Sequence, residues 1–336
     1  MEELKNIETE FIKDGISRCE SVDELIDEIF PMLKSQREMW SGKINEIIKE
    51  SHLKKSEFAQ ECGISRQTLN KWCKGSIPRN RSTYIKIGMV AGYEVGKINK
   101  LLTRYGRYPA LYSKTLEDCI CIFVSTNYKE NLYEKYTYIL KRIKDNLEKG
   151  DALFDDISTV IFDDKLAQVK NEAQMQAFIA ENIDIFSHSY YKFYAYIKMC
   201  IESNIENDCG SVYEMALTQN WSSSLRQCVS AIYQKKWFPT RNKIISLGLH
   251  LNMDHDQVDF MLELAHMEPL CAKNIFESVI MFILDDAELN DMLNRESRMY
   301  DPDWQLYQYA RQIIEQIDLP EMEDFIDELS IDEEEW

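Results

Sequence analysis

Apolar residues recur at spacings of three and four along most of this chain, a pattern that predicts helices rather than strands. Near the start, Val22, Leu25, Ile26 and Ile29 fall on one face of such a helix. Only 11 Gly and 7 Pro interrupt the pattern in 336 residues. Because turns depend on these two residues, we expect few turns and many helices, and the pattern predicts an all-α fold.

The same spacing predicts two short helices beyond residue 43. Ile44, Ile47 and Ile48 form one apolar face of the first helix. Ser56 is the expected N-cap of the second, because its hydroxyl can accept a hydrogen bond from a free amide at the helix start. Phe58 would then face inward.

A glycine and a serine separate the second helix from a third. Gly63 suits a sharp turn, since glycine adopts positive φ without a steric penalty. Ser65 is the expected N-cap of the third helix, Leu69 and Trp72 are its inward residues, and Gly75 is its stop signal. This order predicts a helix-turn-helix.

The polar residues of the third helix lie opposite its apolar face, where a helix-turn-helix presents side chains to the major groove. Arginine and lysine can contact guanine there, and glutamine and asparagine can contact adenine. The predicted base-reading residues are Arg66, Gln67, Asn70 and Lys71. The predicted phosphate-contacting residues are Lys54, Lys55, Ser65, Lys74, Arg79 and Arg81.

Charge is distributed unevenly along the chain. Residues 41–108 carry fourteen Lys/Arg against five Glu, a net charge of +9, whereas the whole chain carries −19. A local positive field can attract phosphates even in an acidic protein. Residues 315–336 carry eleven Asp/Glu and no Lys/Arg, which fits either a solubilising, partly helical tail or a mimic of DNA that competes for the basic segment.

The stretch "LKKSEFAQECGISRQTLNKWCKGSIPR", with the following "STYIKIGMVAGYEVGKINKLL", resembles the lambda-repressor/Cro-type (XRE) helix-turn-helix family over about residues 42–102. The resemblance implies a domain of five short helices in which Gln67, Asn70 and Lys71 face bases and Lys55 meets a phosphate. Trp72 departs from the aliphatic residue often found at its position. The segment "GRYPALYSKTLEDCICIFV" is similar to an extension in XRE-family regulators of Firmicutes.

A weak internal repeat follows. A shift of 160 residues aligns Arg66-Gln67 with Arg226-Gln227, Gly88 with Gly248, Pro109 with Pro269 and Glu117 with Glu277. Residues 211–285 carry six Lys/Arg against eight Asp/Glu. We therefore expect a degenerate helix-turn-helix copy that has lost DNA binding and serves in packing or self-association. The alternative is a residual phosphate contact through Arg226, Lys235, Lys236 and Arg241.

These patterns predict five segments. They are an N-terminal helical segment (1–40), a helix-turn-helix domain with its helical extension (41–126), a helical middle region (127–210), the degenerate repeat (211–300) and an acidic tail (301–336). Within the middle region, Lys149-Gly150-Asp151 is the expected linker. The aromatic residues from Tyr190 to Tyr196 favour a core or interface over a base-stacking platform.

Several function classes lack the sequence features they need. The chain has no P-loop, no G-x-S-x-G and no metal-ligand spacing among its nine cysteines and five histidines. We expect no catalytic residue, no metal, no cofactor and no enzymatic activity. The apolar runs are far shorter than a membrane span, and the acidic N-terminus lacks the apolar region of a signal peptide, so a cytoplasmic protein is expected.

The sequence thus predicts a sequence-specific transcriptional regulator whose recognition helix, at about residues 65–74, reads the major groove of double-stranded DNA. A homodimer is expected because one short helix covers few base pairs. The C-terminal helical region could hold a protein partner. The alternative is a protein-interaction adaptor in which the helix-turn-helix units are scaffolding.

Overall fold

The structure is a computed structural model. It describes residues 9–33, 35–145, 157–188, 190–208, 211–234, 240–294, 296–297, 301 and 303–329. The described chain is all-helical, as the apolar spacing predicted. It divides into two compact units: a central unit of residues 37–189, and a terminal unit of residues 1–36 and 190–336. The predicted linker Lys149-Gly150-Asp151 lies outside the described residues.

The helices follow in chain order. The terminal unit begins with α1 (Thr9–Ile16) and α2 (Val22–Glu24), and α2 runs into a π-helical turn (Leu25–Ile29) and a 3-10 turn (Phe30–Met32). The central unit contains α3 (Gln36–Glu50), α4 (Lys55–Glu61), α5 (Arg66–Trp72), α6 (Arg81–Val90), α7 (Val95–Lys100) with a π-helical turn (Leu101–Tyr105), α8 (Leu116–Asn127), α9 (Leu132–Asp145), α10 (Thr159–Ala167), α11 (Glu172–Glu181) and α12 (Ile183–Ser187). The terminal unit resumes with α13 (Tyr191–Asp208), α14 (Val212–Thr218), α15 (Ser223–Tyr233), α16 (Arg241–His250), α17 (His255–Leu264), α18 (Ile275–Leu289), α19 (Leu306–Ile314) and α20 (Pro320–Leu329).

The first helix of the central unit is longer than its apolar pattern predicted. Ile44, Ile47 and Ile48 are buried as expected, but α3 begins at Gln36 rather than near Lys43. Its second turn carries Trp40, which is fully buried. The predicted segment of residues 1–40 therefore ends inside a helix that belongs to the central core.

The described part of the acidic C-terminal segment is packed structure rather than a free tail. Leu306, Tyr307, Ile314 and Phe325 of α19 and α20 are buried in the core of the terminal unit. The partly helical character predicted for residues 315–336 is confirmed by α20, whereas the solubilising role and the alternative of a DNA mimic stay predictions. Met322, Phe325 and Leu329 recur at spacings of three and four, so α20 buries one face although it carries five carboxylates. The final "IDEEEW" lies outside the described residues.

A neutral histidine ties the end of α20 to α16. The His250 ring is fully buried, stacks on Tyr307 with centroids 4.4 Å apart, and lies 2.6 Å by its Nε2 from the carbonyl oxygen of Leu329. Burial lowers the pKa of His250 to about 3, although the hydrogen bond to Leu329 opposes the shift. At neutral pH this contact is therefore an uncharged one.

Four of the five aromatic residues from Tyr190 to Tyr196 lie in the core of the terminal unit or pack against it. Tyr190 and Phe193 are buried, whereas Tyr191 is exposed. The core interpretation of this aromatic stretch is confirmed for the two buried rings.

A buried ion pair closes the central unit. Arg81, at the start of α6, donates two hydrogen bonds to the Asp118 carboxylate, at 2.7 and 2.8 Å. Its guanidinium also donates to the carbonyls of Pro109 and Ala110, at 3.1–3.3 Å. The Asp118 carboxylate accepts the backbone N–H of Tyr112 at 2.9 Å. One side-chain pair thus fixes α6, the 109–112 loop and α8 together.

The terminal unit contains the same arrangement. Arg241, at the start of α16, donates two hydrogen bonds of 2.8 Å to the Glu277 carboxylate. It also donates to the carbonyls of Glu268 and Pro269, and Glu277 accepts the backbone N–H of Cys271 at 2.7 Å. The donor, the acceptor and the bridged loop therefore correspond in the two units.

Helix N-caps give the register of this correspondence. Asn80 and Glu94 cap α6 and α7, and Thr240 and Asp254 cap α16 and α17, a shift of 160 residues. The caps of α8 and α18, Thr115 and Asn274, differ by 159 residues. The predicted alignment of Glu117 with Glu277 is therefore wrong by one position, and Asp118 is the residue that matches Glu277.

Two matched glycines allow close helix packing in both units. A Cβ on Gly88 would lie 2.9 Å from Ile98, and a Cβ on Gly248 would lie 2.8 Å from Val258. Contacts this short leave no room for a side chain, so α6 and α16 each approach the following helix through a glycine.

We predict that Arg81→Ala lowers the free energy of unfolding of the central unit by about 3–5 kcal/mol, because it leaves the Asp118 carboxylate buried without its partner. Urea denaturation measures the effect. Lys144→Ala is the matched control, since it breaks a half-exposed pair with Glu117, the residue next to Asp118; we expect a loss below about 1 kcal/mol. Equal losses in the two variants would contradict the assignment.

Candidate nucleic-acid interface

The connection between α4 and α5 is a tight turn of residues 62–65. Gly63 adopts φ +61°, and Ile64 N–H donates to the Ala59 carbonyl at 2.9 Å. Ser65 Oγ accepts the N–H of Thr68 at 3.0 Å and caps α5. The predicted turn glycine and N-cap serine are both confirmed.

The predicted cap of α4 is wrong. The helix begins at Lys55 with Lys54 as its N-cap, so Ser56 lies in the first turn. The Glu57 carboxylate accepts the backbone N–H of Lys54 at 3.0 Å. A glutamate three residues after the cap can reach back in this way, so the N-cap is Lys54, two residues before the predicted Ser56.

Aromatic rings hold the inward face of α5. Leu69 and Trp72 are buried, as predicted. The Trp72 ring meets Trp40 edge-on with centroids 6.4 Å apart, and Trp40 meets Tyr84 at 5.0 Å. Trp40 belongs to α3 and Tyr84 to α6, so these ring contacts pack α5 against α3 and α3 against α6.

The C-terminal end of α5 is closed by Gly75, as the sequence predicted. Gly75 adopts φ +106°. Its N–H donates to the Trp72 carbonyl, and the N–H of Ser76 donates to the Lys71 carbonyl, both at 3.0 Å. These two bonds satisfy carbonyls that the helix itself leaves free.

The predicted base-reading residues share the solvent face of α5. All four side chains are exposed: Arg66, Gln67, Asn70 and Lys71. A shallow depression between α4 and α5 is lined by Lys55, Ser56, Arg66, Leu69 and Asn70. The structure thus brings together two cations and two amides on one surface, and their contact with bases stays a prediction.

Five of the six predicted phosphate-contacting residues are exposed. The exposed ones are Lys54, Lys55, Ser65, Lys74 and Arg79. Lys54 lies 3.9 Å from Glu57, and Lys55 Nζ lies 3.7 Å from the Cys73 sulfur. Within the described part of the chain, no carboxylate forms an ion pair with Arg66, Lys71, Lys74 or Arg79. Their charge is available to an outside anion.

Arg81 is the exception among the predicted phosphate contacts. Its side chain is only 12% exposed and is committed to the Asp118 carboxylate. Moving Arg81 to a phosphate would leave the Asp118 carboxylate buried and unpaired. The free-energy cost of that buried charge exceeds the gain from a surface contact with a phosphate. The prediction that Arg81 contacts a phosphate is therefore wrong, because its guanidinium is paired with Asp118 inside the central unit.

The turn before α5 rests on a lysine that the sequence pattern did not indicate. Lys86 Nζ lies 4.6 Å from the centroid of the Tyr133 ring. A Cβ on Gly63 would approach the same Nζ to 2.8 Å. The ammonium therefore lies between the turn and α9, and Tyr133 is too distant in sequence for a local pattern to reveal it.

The matching face of the terminal unit carries different chemistry. Ser222 caps α15 as Ser65 caps α5, with Ser222 Oγ accepting the Leu225 N–H at 3.0 Å, so this region is shifted by 157 residues. Arg66 and Gln67 therefore correspond to Ser223 and Ser224. The predicted alignment with Arg226-Gln227 is wrong by three positions, because α15 is longer than α5.

Other kinds of site find little support in the described residues. No group of three or more His, Cys, Asp or Glu side chains among them could hold a metal ion. Burial raises the pKa of the Cys62, Cys119 and Cys121 thiols, which keeps them protonated. In the described part of the chain, no helix has both the length and the apolar character needed to cross a membrane.

Comparison with protein families finds one match, and it covers the segment that contains α4 and α5. Residues 44–82 match the family model described as helix-turn-helix, of the XRE type. The match runs from α3 to the start of α6 and contains the whole of α4, the turn and α5. No curated protein matches the chain. No solved structure matches it either.

We predict that Gly63→Ala lowers the free energy of unfolding of the central unit by about 1–2 kcal/mol, because a side chain is strained at positive φ and this one would also press on Lys86. Urea denaturation measures the change. Gly96→Ala, inside α7 with no atom within 4 Å of the added Cβ, should leave stability unchanged or raise it by up to about 1 kcal/mol. A Gly63→Ala protein as stable as the Gly96→Ala protein would contradict the role of the turn.

Proposed function

We propose that this protein is a transcriptional regulator that binds double-stranded DNA in a sequence-specific manner and inserts α5 into the major groove. The observation that carries the proposal is the solvent face of α5. It presents exposed cations and amides, without ion-pair partners among the described residues, inside a segment that matches the helix-turn-helix family. That family match makes the protein-interaction adaptor the less favoured alternative.

Each side chain on this face has a role that its chemistry supports. Arg66 and Lys71 would donate to the O6 and N7 atoms of guanine, and Gln67 and Asn70 would form paired hydrogen bonds with adenine. Phosphates would be met by the exposed cations beside α5, namely Lys54, Lys55, Lys74 and Arg79, and by the Ser65 hydroxyl. These contacts would fix the register of α5 on the duplex.

The charge distribution supports the same proposal. Residues 41–108 carry +9 within a chain of −19. A duplex would be attracted to the basic segment and repelled by the rest of the molecule. Non-specific encounter would therefore present the face of α5 to DNA in preference to other surfaces.

We further propose that the terminal unit is a degenerate copy of the helix-turn-helix unit. The corresponding ion pairs Arg81–Asp118 and Arg241–Glu277 support this proposal, as do the N-caps that match between the two units. Ser223 and Ser224 stand where the central unit has Arg66 and Gln67, so this copy would not read DNA. Its role would be self-association or partner binding.

We propose that the protein acts as a dimer in the cytoplasm, with one α5 in each of two half-sites. A seven-residue helix covers few base pairs, and pairing two of them recovers affinity and specificity. This arrangement predicts an operator with two-fold symmetry.

The test is DNA affinity across a salt series. The logarithm of the affinity should fall with the logarithm of the salt concentration, with a slope of about −0.9 for each phosphate neutralised. Arg66→Ala and Lys71→Ala should each weaken binding to the preferred sequence by about 1–3 kcal/mol. Lys74→Ala should reduce the slope by about one.

Arg226→Ala is the control in the terminal unit, because Arg226 is the arginine of α15, the helix that corresponds to α5. It should leave affinity and slope unchanged. A wild-type slope near zero would contradict the proposed function. An Arg226→Ala loss as large as that of Arg66→Ala would contradict the assignment of DNA reading to the central unit.

A further inference from the structure

The last carbonyls of α5 need hydrogen-bond donors from outside the helix, as in any helix. The carbonyl of its C-cap residue, Cys73, accepts a hydrogen bond from Ser41 Oγ at 2.6 Å and another from Asn45 Nδ2 at 3.3 Å. Asn45 Nδ2 also donates to the Ser41 carbonyl at 2.7 Å, which holds its amide in place. Both donors are half-buried residues of α3.

Two further contacts join the same parts of α3 and α5. The Trp40 and Trp72 rings meet edge-on. At Gly75, a Cβ would lie 3.4 Å from the Arg37 carbonyl oxygen, so the backbone after α5 runs directly against α3. Residues 37–41 precede the segment that matches the helix-turn-helix family, yet they hold the end of its third helix.

The two kinds of contact constrain α5 differently. Burial of Leu69 and Trp72 draws the helix inward, but apolar attraction is non-directional and leaves rotation about the contact inexpensive. Hydrogen bonds depend on both distance and angle. Two donors on one carbonyl at the end of a seven-residue helix therefore set the direction in which its axis points.

We infer that Ser41 and Asn45 are positioning residues that set the angle at which α5 presents its reading face. The inference rests on the proposed binding of DNA by α5. Neither residue belongs to the predicted set of DNA contacts. Base readout requires side chains to be held within about 0.5 Å and 10–20° of the productive geometry, whereas phosphate attraction does not. Loss of the two donors should therefore reduce specificity and spare non-specific binding.

The experiment uses the full chain and two DNA probes: the duplex enriched from a random pool by the wild-type protein, and an unrelated duplex of equal length. The double variant Ser41→Ala/Asn45→Ala should bind the enriched duplex about tenfold more weakly. Its affinity for the unrelated duplex and its salt slope should stay at the wild-type values, because the phosphate-contacting cations are unchanged. The ratio of the two affinities is the readout, since partial unfolding would lower both affinities by the same factor.

Two further variants separate positioning from a general structural effect. Ser41→Thr keeps a hydroxyl donor and should retain the wild-type ratio. Ser51→Ala removes a hydroxyl that donates at 2.9 Å to the Ile48 carbonyl, away from α5, and should also retain it. An unchanged ratio in the double variant, or a Ser41→Thr variant as impaired as the double variant, would overturn the inference. A wild-type protein that binds no DNA would overturn it together with the proposed function.

Discussion

The edge-on contact between Trp72 and Trp40 is the constraint on which the candidate interface depends. Once Trp72 is held inward beside Leu69, helical geometry leaves the polar residues of α5 no position except the solvent face. Trp40 in turn packs on Tyr84 of α6, so the core of the central unit holds α5 in position, while the hydrogen bonds from Ser41 and Asn45 to the Cys73 carbonyl act on its angle. A rigid support of this kind is what a base-reading helix requires.

The parts of this interface that depend on short-range spacing could be predicted from the sequence. The turn at Gly63, the cap at Ser65 and the burial of Leu69 and Trp72 all follow from residues within one or two helical turns of each other. The partners of Trp72 and Lys86 could not be predicted, because Trp40 and Tyr133 come from other helices and no local pattern connects them. Arg81 shows the same limit: its charge suggested a phosphate, and its actual partner, Asp118, lies 37 residues away.

The two units share a set of contacts but differ in the chemistry of the helix surface. Arg81 and Arg241 make matching hydrogen bonds to a carboxylate and to a loop, and Gly88 and Gly248 allow matching helix contacts. At the start of α5 and α15, core packing does not determine the residue type. Arg66 and Gln67 of α5 correspond there to Ser223 and Ser224 of α15. Under the proposed function, this difference would leave base contact to the central unit.

Selection of bound duplexes from a random pool at physiological salt tests the central claim most directly, because it detects binding, sequence preference and operator symmetry in one measurement. The account predicts enrichment of a site with two-fold symmetry whose half-sites lie about one helical turn, or a multiple of it, apart. It also predicts that a protein lacking the Arg66 and Lys71 side chains loses that enrichment. A pool without sequence enrichment, or the same enrichment by the altered protein, would contradict the account.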